Sequence, residues 1–190
     1  FFEESFRFLE ENEGPVQFSD EKARTDSVEC GKRVLLAFMR SEVYRNSGKP
    51  KGVETSLSMP VKGRSGIALT GFVDRVDASN RAVDYKSVAS TPQIETELWL
   101  HEMQLVAYQE LIESATDEVS PGAELVFLVK TKTPKVITAS MPPATKVQRQ
   151  RFWSLVDRAI DGIQTERFHP SPGMHCSWCS FRNQCAKWNG

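Results

Sequence analysis

The chain has 190 residues, of which 39% are apolar and 26% charged, with a formal net charge of −1. This is the composition of a globular chain long enough to bury a core, and no apolar run approaches the roughly 20 residues of a membrane span. The charge gives no global sign of an anionic partner, so a nucleic-acid protein of this balance must concentrate its Lys and Arg locally.

The start, Phe1-Phe2-Glu3-Glu4-Ser5-Phe6-Arg7, is charged and amphipathic, unlike a signal peptide. The first residue is not Met, and truncation at the N-terminus is expected. Helical spacing runs from Phe1 to about Glu11. A stronger helix is predicted from Thr25 to Tyr44, capped by Asp26, with Val28, Leu35, Leu36, Phe38 and Met39 as its apolar stripe. Turn residues fill Asn46 to Gly52. Val53 to Val61, Ile67 to Ala78 and Ala82 to Val88 then alternate as a three-stranded antiparallel meander. A helix from about Glu95 to Ser114 is apolar on more than one side and expected to be well buried. Ala123 to Lys130 and Val136 to Ala139 are predicted strands, and Ala144 to Thr165 a long amphipathic helix. Pro170 and Pro172 open a tail rich in cysteine. Strands flanked by helices imply an α/β layered core in a single domain, 1–190, with 169–190 as the tail.

The second hairpin of the meander carries charge that an ordinary hairpin does not need: Asp74, Asp77, Asp84 and Lys86. Asp84 and Lys86 share a face because side chains alternate along a strand. Whether Asp74 joins them depends on turn length. A two-residue loop, Ser79-Asn80, pairs Asp74 with Tyr85 and separates the charges. A three-residue loop, Ser79 to Arg81, pairs Asp74 with Lys86 and gathers both carboxylates, and Asn80 tolerates the left-handed conformation it needs. Two carboxylates on one face can hold a magnesium ion, which keeps several waters. Such an ion polarises a phosphodiester oxygen and activates a bound water. The Lys86 ammonium beside them can orient that water and offset transition-state charge. An isolated Asp-x-Lys is otherwise a solvated strand edge, and Asp77 is expected to support the turn.

Gly71-Phe72-Val73-Asp74-Arg75-Val76-Asp77 followed by Val83-Asp84-Tyr85-Lys86 resembles the signature of RecB-type nucleases of the PD-(D/E)XK superfamily. Gln104-Leu105-Val106-Ala107-Tyr108 is similar to the Gln-x-x-x-Tyr motif that follows in that family, with Gln104 and Tyr108 on one helix face. The resemblance implies a restriction-endonuclease-like core with a mixed sheet. It implies Asp74 and Asp84 as ligands of Mg2+ (or Mn2+), Lys86 as the catalytic lysine, and Gln104 and Tyr108 as partners of the site. Glu54, at the start of the preceding strand, is the third ligand by the same likeness. A metal-binding His on the preceding helix, present in other members, has no counterpart among His101, His169 and His175, so one ion is expected rather than two.

The tail, His175-Cys176-Ser177-Trp178-Cys179 to Cys185, supplies three thiolates at close spacing. In a chain without secretion signals this points to metal ligation in a reducing compartment, the cytoplasm, rather than to disulfides. It resembles the C-terminal motif of iron–sulfur members of the nuclease family, which implies a [4Fe–4S] cluster with Cys30 as fourth ligand. Zinc, with His175 filling in, or an empty site are the alternatives. Trp178, Phe181 and Trp188 would pack the tail onto the core. Basic residues cluster at Lys49, Lys51, Lys62 and Arg64, at Lys130, Lys132 and Lys135, and at Lys146, Arg149 and Arg151. Most such clusters are solvated surface, but if the meander turns flank the site the first two groups would follow phosphates without sequence preference.

The function expected is a metal-dependent DNA nuclease, exonucleolytic, acting in recombination, repair or phage and CRISPR-type DNA processing beside a helicase or recombination partner. A catalytically silent nuclease fold in a helicase–nuclease complex is the alternative, and an iron–sulfur redox or sensor protein is a third.

Overall fold

Period-two and wholly apolar segments make the sheet of the computed structural model, which describes residues 2–14 and 17–188. Its strands are β1 (Gly52–Pro60), β2 (Ala68–Val76), β3 (Ala82–Val88), β4 (Ala123–Val129) and β5 (Lys135–Met141). They lie in that spatial order. Every pair is antiparallel except β3–β4, so the sheet is mixed and begins with the expected meander. A parallel pair requires a crossover, and two helices between β3 and β4 provide it. β4 is an interior strand covered on both faces, which is why it reads Ala-Glu-Leu-Val-Phe-Leu-Val rather than alternating. Leu125, Val126, Phe127 and Val129 are fully buried there.

The helices are α1 (Phe2–Glu13), α2 (Glu21–Arg40), α3 (Glu42–Asn46), α4 (Ile94–Leu100), α5 (Glu102–Thr116), α6 (Lys146–Gln164) and α7 (Arg182–Ala186). α2 starts earlier than its apolar stripe suggests. Asp20, not Asp26, is its cap and accepts the Ala23 N–H at 2.8 Å, while Asp26 lies inside the helix paired with Lys22. Ser41 ends α2 and caps α3, so the helix expected to reach Tyr44 is two. The helix expected from Glu95 to Ser114 is also two, because His101 leaves helical geometry at φ −99° and ψ 5°.

The chain falls into two compact units, Phe1–Thr145 and Lys146–Gly190. In the first, Phe38 of α2 meets the Tyr85 ring edge-on at 5.5 Å between centroids. α5 instead bonds Asp84, the neighbour of Tyr85 that points the other way. α2 and α5 therefore cover opposite faces of the sheet. In the second unit, α6 buries Phe152 and Ile160 and is followed by a 3-10 turn, Met174–Ser177, and α7. In this unit Trp178, Phe181 and Trp188 stand 75%, 67% and 51% exposed.

Candidate functional site

The site begins where β2 and β3 part. Their ladder holds only Arg75–Val83 and Val76–Ala82. Below it the turn closes with Asp77 N–H donating to Arg81 O and Asn80 N–H to Asp77 O, and Asn80 sits at φ 68°. The loop is therefore Ala78 to Asn80, of odd length. The register is one pair short of the one expected, bringing Asp74 level with Asp84 rather than with Lys86. Above the ladder, the Asp74 carboxylate replaces the missing backbone acceptor: its Oδ2 takes the Tyr85 N–H at 2.8 Å.

Asp84 is 3% exposed and held from α5. Its Oδ1 accepts from Gln104 Nε2 at 2.8 Å and from the Tyr108 hydroxyl at 3.2 Å. Gln104 Nε2 also donates to the Tyr108 oxygen at 2.8 Å, and Gln104 Oε1 accepts from Lys86 Nζ at 3.2 Å. One amide thus fixes the carboxylate, the phenol and the ammonium together. Asp84 Oδ2 has Lys86 Nζ 2.8 Å away, yet it receives no well-aligned hydrogen bond and is buried. Burial, reinforced by the Asp84 charge against the opposing Gln104 hydrogen bond, pushes the Tyr108 phenol up to about 12. It remains a donor at every physiological pH.

Two other motif residues serve the frame. Asp77 accepts the Ser79 N–H, the Ser79 hydroxyl and the Arg81 N–H at 2.8, 2.7 and 2.9 Å. Burial pushes its carboxyl up, but those hydrogen bonds outweigh burial and hold it below the usual range. It supports the turn, as expected. Glu54 falls level with Asp74, but the ladder skips both and Glu54 adopts φ 47° with an exposed side chain. Among the described residues no three His, Cys, Asp or Glu side chains gather to hold an ion. The Glu54–Asp74–Asp84 set is thus not closed, and the tail thiols do not form a ligand group. Cys30, Cys176, Cys179 and Cys185 are all free thiols.

Sequence reasoning missed the work of Arg75 and Gly71. Arg75 is buried, and its guanidinium donates to the Ser47 carbonyl and to the Gly48 carbonyl at 3.1 Å, tying β2 to the end of α3. Its burial beside two unpaired carbonyls at a helix end was legible only in three dimensions. Gly71 lets α5 approach: a Cβ there would lie 2.9 Å from Leu111 Cδ1. Of the basic residues, Lys51 is engaged by Asn80 Oδ1 at 2.8 Å, whereas Lys62, Lys130, Lys132 and Lys135 are exposed. A cavity of about 340 Å³ opens on the α3 side of the sheet among Arg75, Arg81, Tyr85 and Glu124, and neither Asp74 nor Asp84 lines it.

A sequence model described as the PD-(D/E)XK nuclease superfamily matches residues 6–186. Among solved structures, the fold is similar to that of a candidate exonuclease from Eubacterium rectale. That likeness has a TM-score of 0.65 and 15% identity, and covers 97% of this chain and 69% of that one. It is also similar to SSO0001, with a TM-score of 0.51 and 16% identity over 97% of this chain and 80% of that one. At such identities the likeness speaks for the fold. No curated protein sequence matches the chain. Among the described residues no helix is long and apolar enough to cross a membrane.

Proposed function

The chain belongs to the PD-(D/E)XK nuclease superfamily, and from that premise we propose that it is a divalent-metal-dependent deoxyribonuclease of the RecB type, acting exonucleolytically on phosphodiester bonds. The observation that carries the reading is the buried, unaligned Oδ2 of Asp84 beside a lysine and level with a second carboxylate. An anion buried without a full set of donors is costly, and a cation is the partner that would complete it. Oxygen donors suit a hard ion such as Mg2+, which needs only one or two carboxylates and otherwise keeps water. When bound, the ion supplies an activated water and polarises the phosphoryl oxygen.

The chain's own residues do the rest. Asp74 and Asp84 would hold the ion. Gln104 and Tyr108 engage Asp84 Oδ1, so Oδ2 is the oxygen that would be left for the ion. Lys86 Nζ, steadied by Gln104 Oε1, offers its positive charge to the phosphoryl group as negative charge develops there. The family likeness further suggests DNA as a substrate bound without sequence preference, and a role beside a recombination or repair helicase. Cys176, Cys179 and Cys185, with Cys30, are the residues that would take a [4Fe–4S] cluster or zinc. Among the described residues the three tail thiols form no ligand group by themselves, and no catalytic step here depends on them.

End-labelled single- and double-stranded linear DNA incubated with Mg2+ or Mn2+ tests the reading. Lys86→Ala should lower cleavage about 10²–10³-fold, the range for loss of one group stabilising transition-state charge, while calorimetry shows metal binding retained. Cleavage by Lys86→Ala or Asp74→Ala at the wild-type rate sinks the assignment.

A further inference from the structure

β4 is apolar at every position but Glu124. That carboxylate stands half-buried in an interior strand and takes one hydrogen bond, from the Ser140 hydroxyl to Oε1 at 3.2 Å. It makes no ion pair among the described residues. A strand packed on both faces gains nothing from such a charge, because carboxylates are seldom drawn out of water without a partner. Glu124 lines the cavity of about 340 Å³ on the α3 side of the sheet, a volume at the small end of the range for ligand pockets.

The strand register lays out that cavity. Glu124 pairs with Val83 and Val126 with Tyr85, so the four share one face, and Arg81 lies two residues before Val83. Tyr85 meets Phe38 of α2 on this face, which is the one opposite Asp84. Val83 and Val126 are buried and form an apolar floor, and Val43 of α3 adds to the apolar lining. Glu124 accepts hydrogen bonds at the floor's edge, and the Arg81 guanidinium and Tyr85 hydroxyl donate. Among the described residues neither of those two donors makes a hydrogen bond or an ion pair. The other charged groups of the lining are occupied or outside: Arg75 is tied to the Ser47 and Gly48 carbonyls, Asp77 to the turn, and Glu42 is exposed. At ordinary strand spacing the Glu124 and Arg81 backbones stand about 8 Å apart.

We propose that this cavity binds a guanine base, held between Glu124 and Arg81 with one flat face on the valine floor. A simple cation would satisfy Glu124 and leave Arg81 without a partner, and a simple anion would do the reverse. Guanine carries both complements on one rigid frame. Its N1–H and N2 amino group form a two-donor edge that fits a carboxylate, and its O6 and N7 form a two-acceptor edge that fits a guanidinium. Adenine sets the N1 lone pair against the carboxylate and is disfavoured. The site lies across the sheet from Asp84 and does not rest on the nuclease reading. The same base comes from two sources, a free nucleotide or an unpaired position in a strand, and the test separates them.

Calorimetry in EDTA, where no metal draws a phosphate to Asp74 and Asp84, uses dGMP, dAMP and two oligothymidylates carrying one central guanine or one central adenine. Saturable binding of dGMP or of the guanine strand is expected at up to millimolar concentration, at least about tenfold tighter than its adenine counterpart. Binding of dGMP itself identifies a free nucleotide, and binding of the strand alone identifies an unpaired base. Glu124→Gln keeps the side chain's shape but removes its charge, and should weaken that binding about tenfold or more with little change in the melting curve. Lys86→Ala should bind as wild type does. Absence of saturable binding to both guanine ligands overturns the site, as does equal affinity in wild type and Glu124→Gln. Loss of binding in Lys86→Ala would move the nucleotide to the other face and overturn it too.

Discussion

Tyr108→Phe keeps the ring and removes only the hydroxyl. Two contacts go with it: the bond to Asp84 Oδ1 at 3.2 Å and the acceptor for Gln104 Nε2 at 2.8 Å. Gln104 still donates to Asp84 at 2.8 Å, so its amide is not orphaned. A hydrogen bond to a charged group contributes about 1.5–3 kcal/mol, and at 3.2 Å the lower end applies. The expected loss near neutral pH is therefore about 1.5–2 kcal/mol, a fall in Tm of about 3–8 °C for a chain of this size.

The same substitution should change sign with pH. The native phenol titrates at about 12, the unfolded one at about 10. Between those values only the unfolded chain has lost the proton. It then binds fewer protons than the native state, so wild-type stability falls as pH rises. The slope approaches about 1.4 kcal/mol per pH unit. Phenylalanine has no such proton, and the wild-type advantage should vanish roughly 1 to 1.5 units above pH 10. Urea unfolding of both proteins, from about pH 8 to about pH 11.5, measures the difference while the shared titrations cancel. A stability gap of constant size across that range would refute the account of a buried phenol holding Asp84.

Gly71→Val should destabilise by about 1–3 kcal/mol, the usual cost of overpacking, because its Cβ would press on the buried Leu111. Thermal melts would show it, and a Tm equal to wild type would mean α5 can move away freely. Arg75→Lys keeps the charge but not the fork that spans the Ser47 and Gly48 carbonyls. A loss of about 1.5–3 kcal/mol in urea unfolding is expected, and an unchanged midpoint would show the tie to be idle.

Much of the sheet was legible because its signal is local. β3 has the predicted bounds, and β1, β2 and β4 shift by one or two residues at their ends. The odd turn was legible too, since Asn80 accepts the left-handed geometry that a three-residue loop demands. The register was harder. Three donors converging on Asp77 pull the turn one residue toward β2, and nothing in the alternation reports that. Helix limits failed where polar residues did the work. Asp20 caps a first turn with no apolar stripe, and His101 breaks a helix without a Gly or Pro to announce it. Within the candidate site, the neighbourhood of Asp84 and Lys86 on one face followed from strand alternation. The amide of Gln104 touching all its neighbours followed only from the crossover that lays α5 across β3.

The two-pair seam between β2 and β3 has a bearing on how the molecule assembles. Each strand is bonded along its length to its other neighbour, β2 to β1 and β3 to β4, so the sheet is two ribbons joined by a short zip and one carboxylate. The ribbons bring one aspartate each. Neither alone holds both carboxylates, and docking them is what brings Asp74 level with Asp84. If the proposed site is the reactive centre, completing the sheet would also complete it, and a chain with the two ribbons undocked would lack the paired carboxylates.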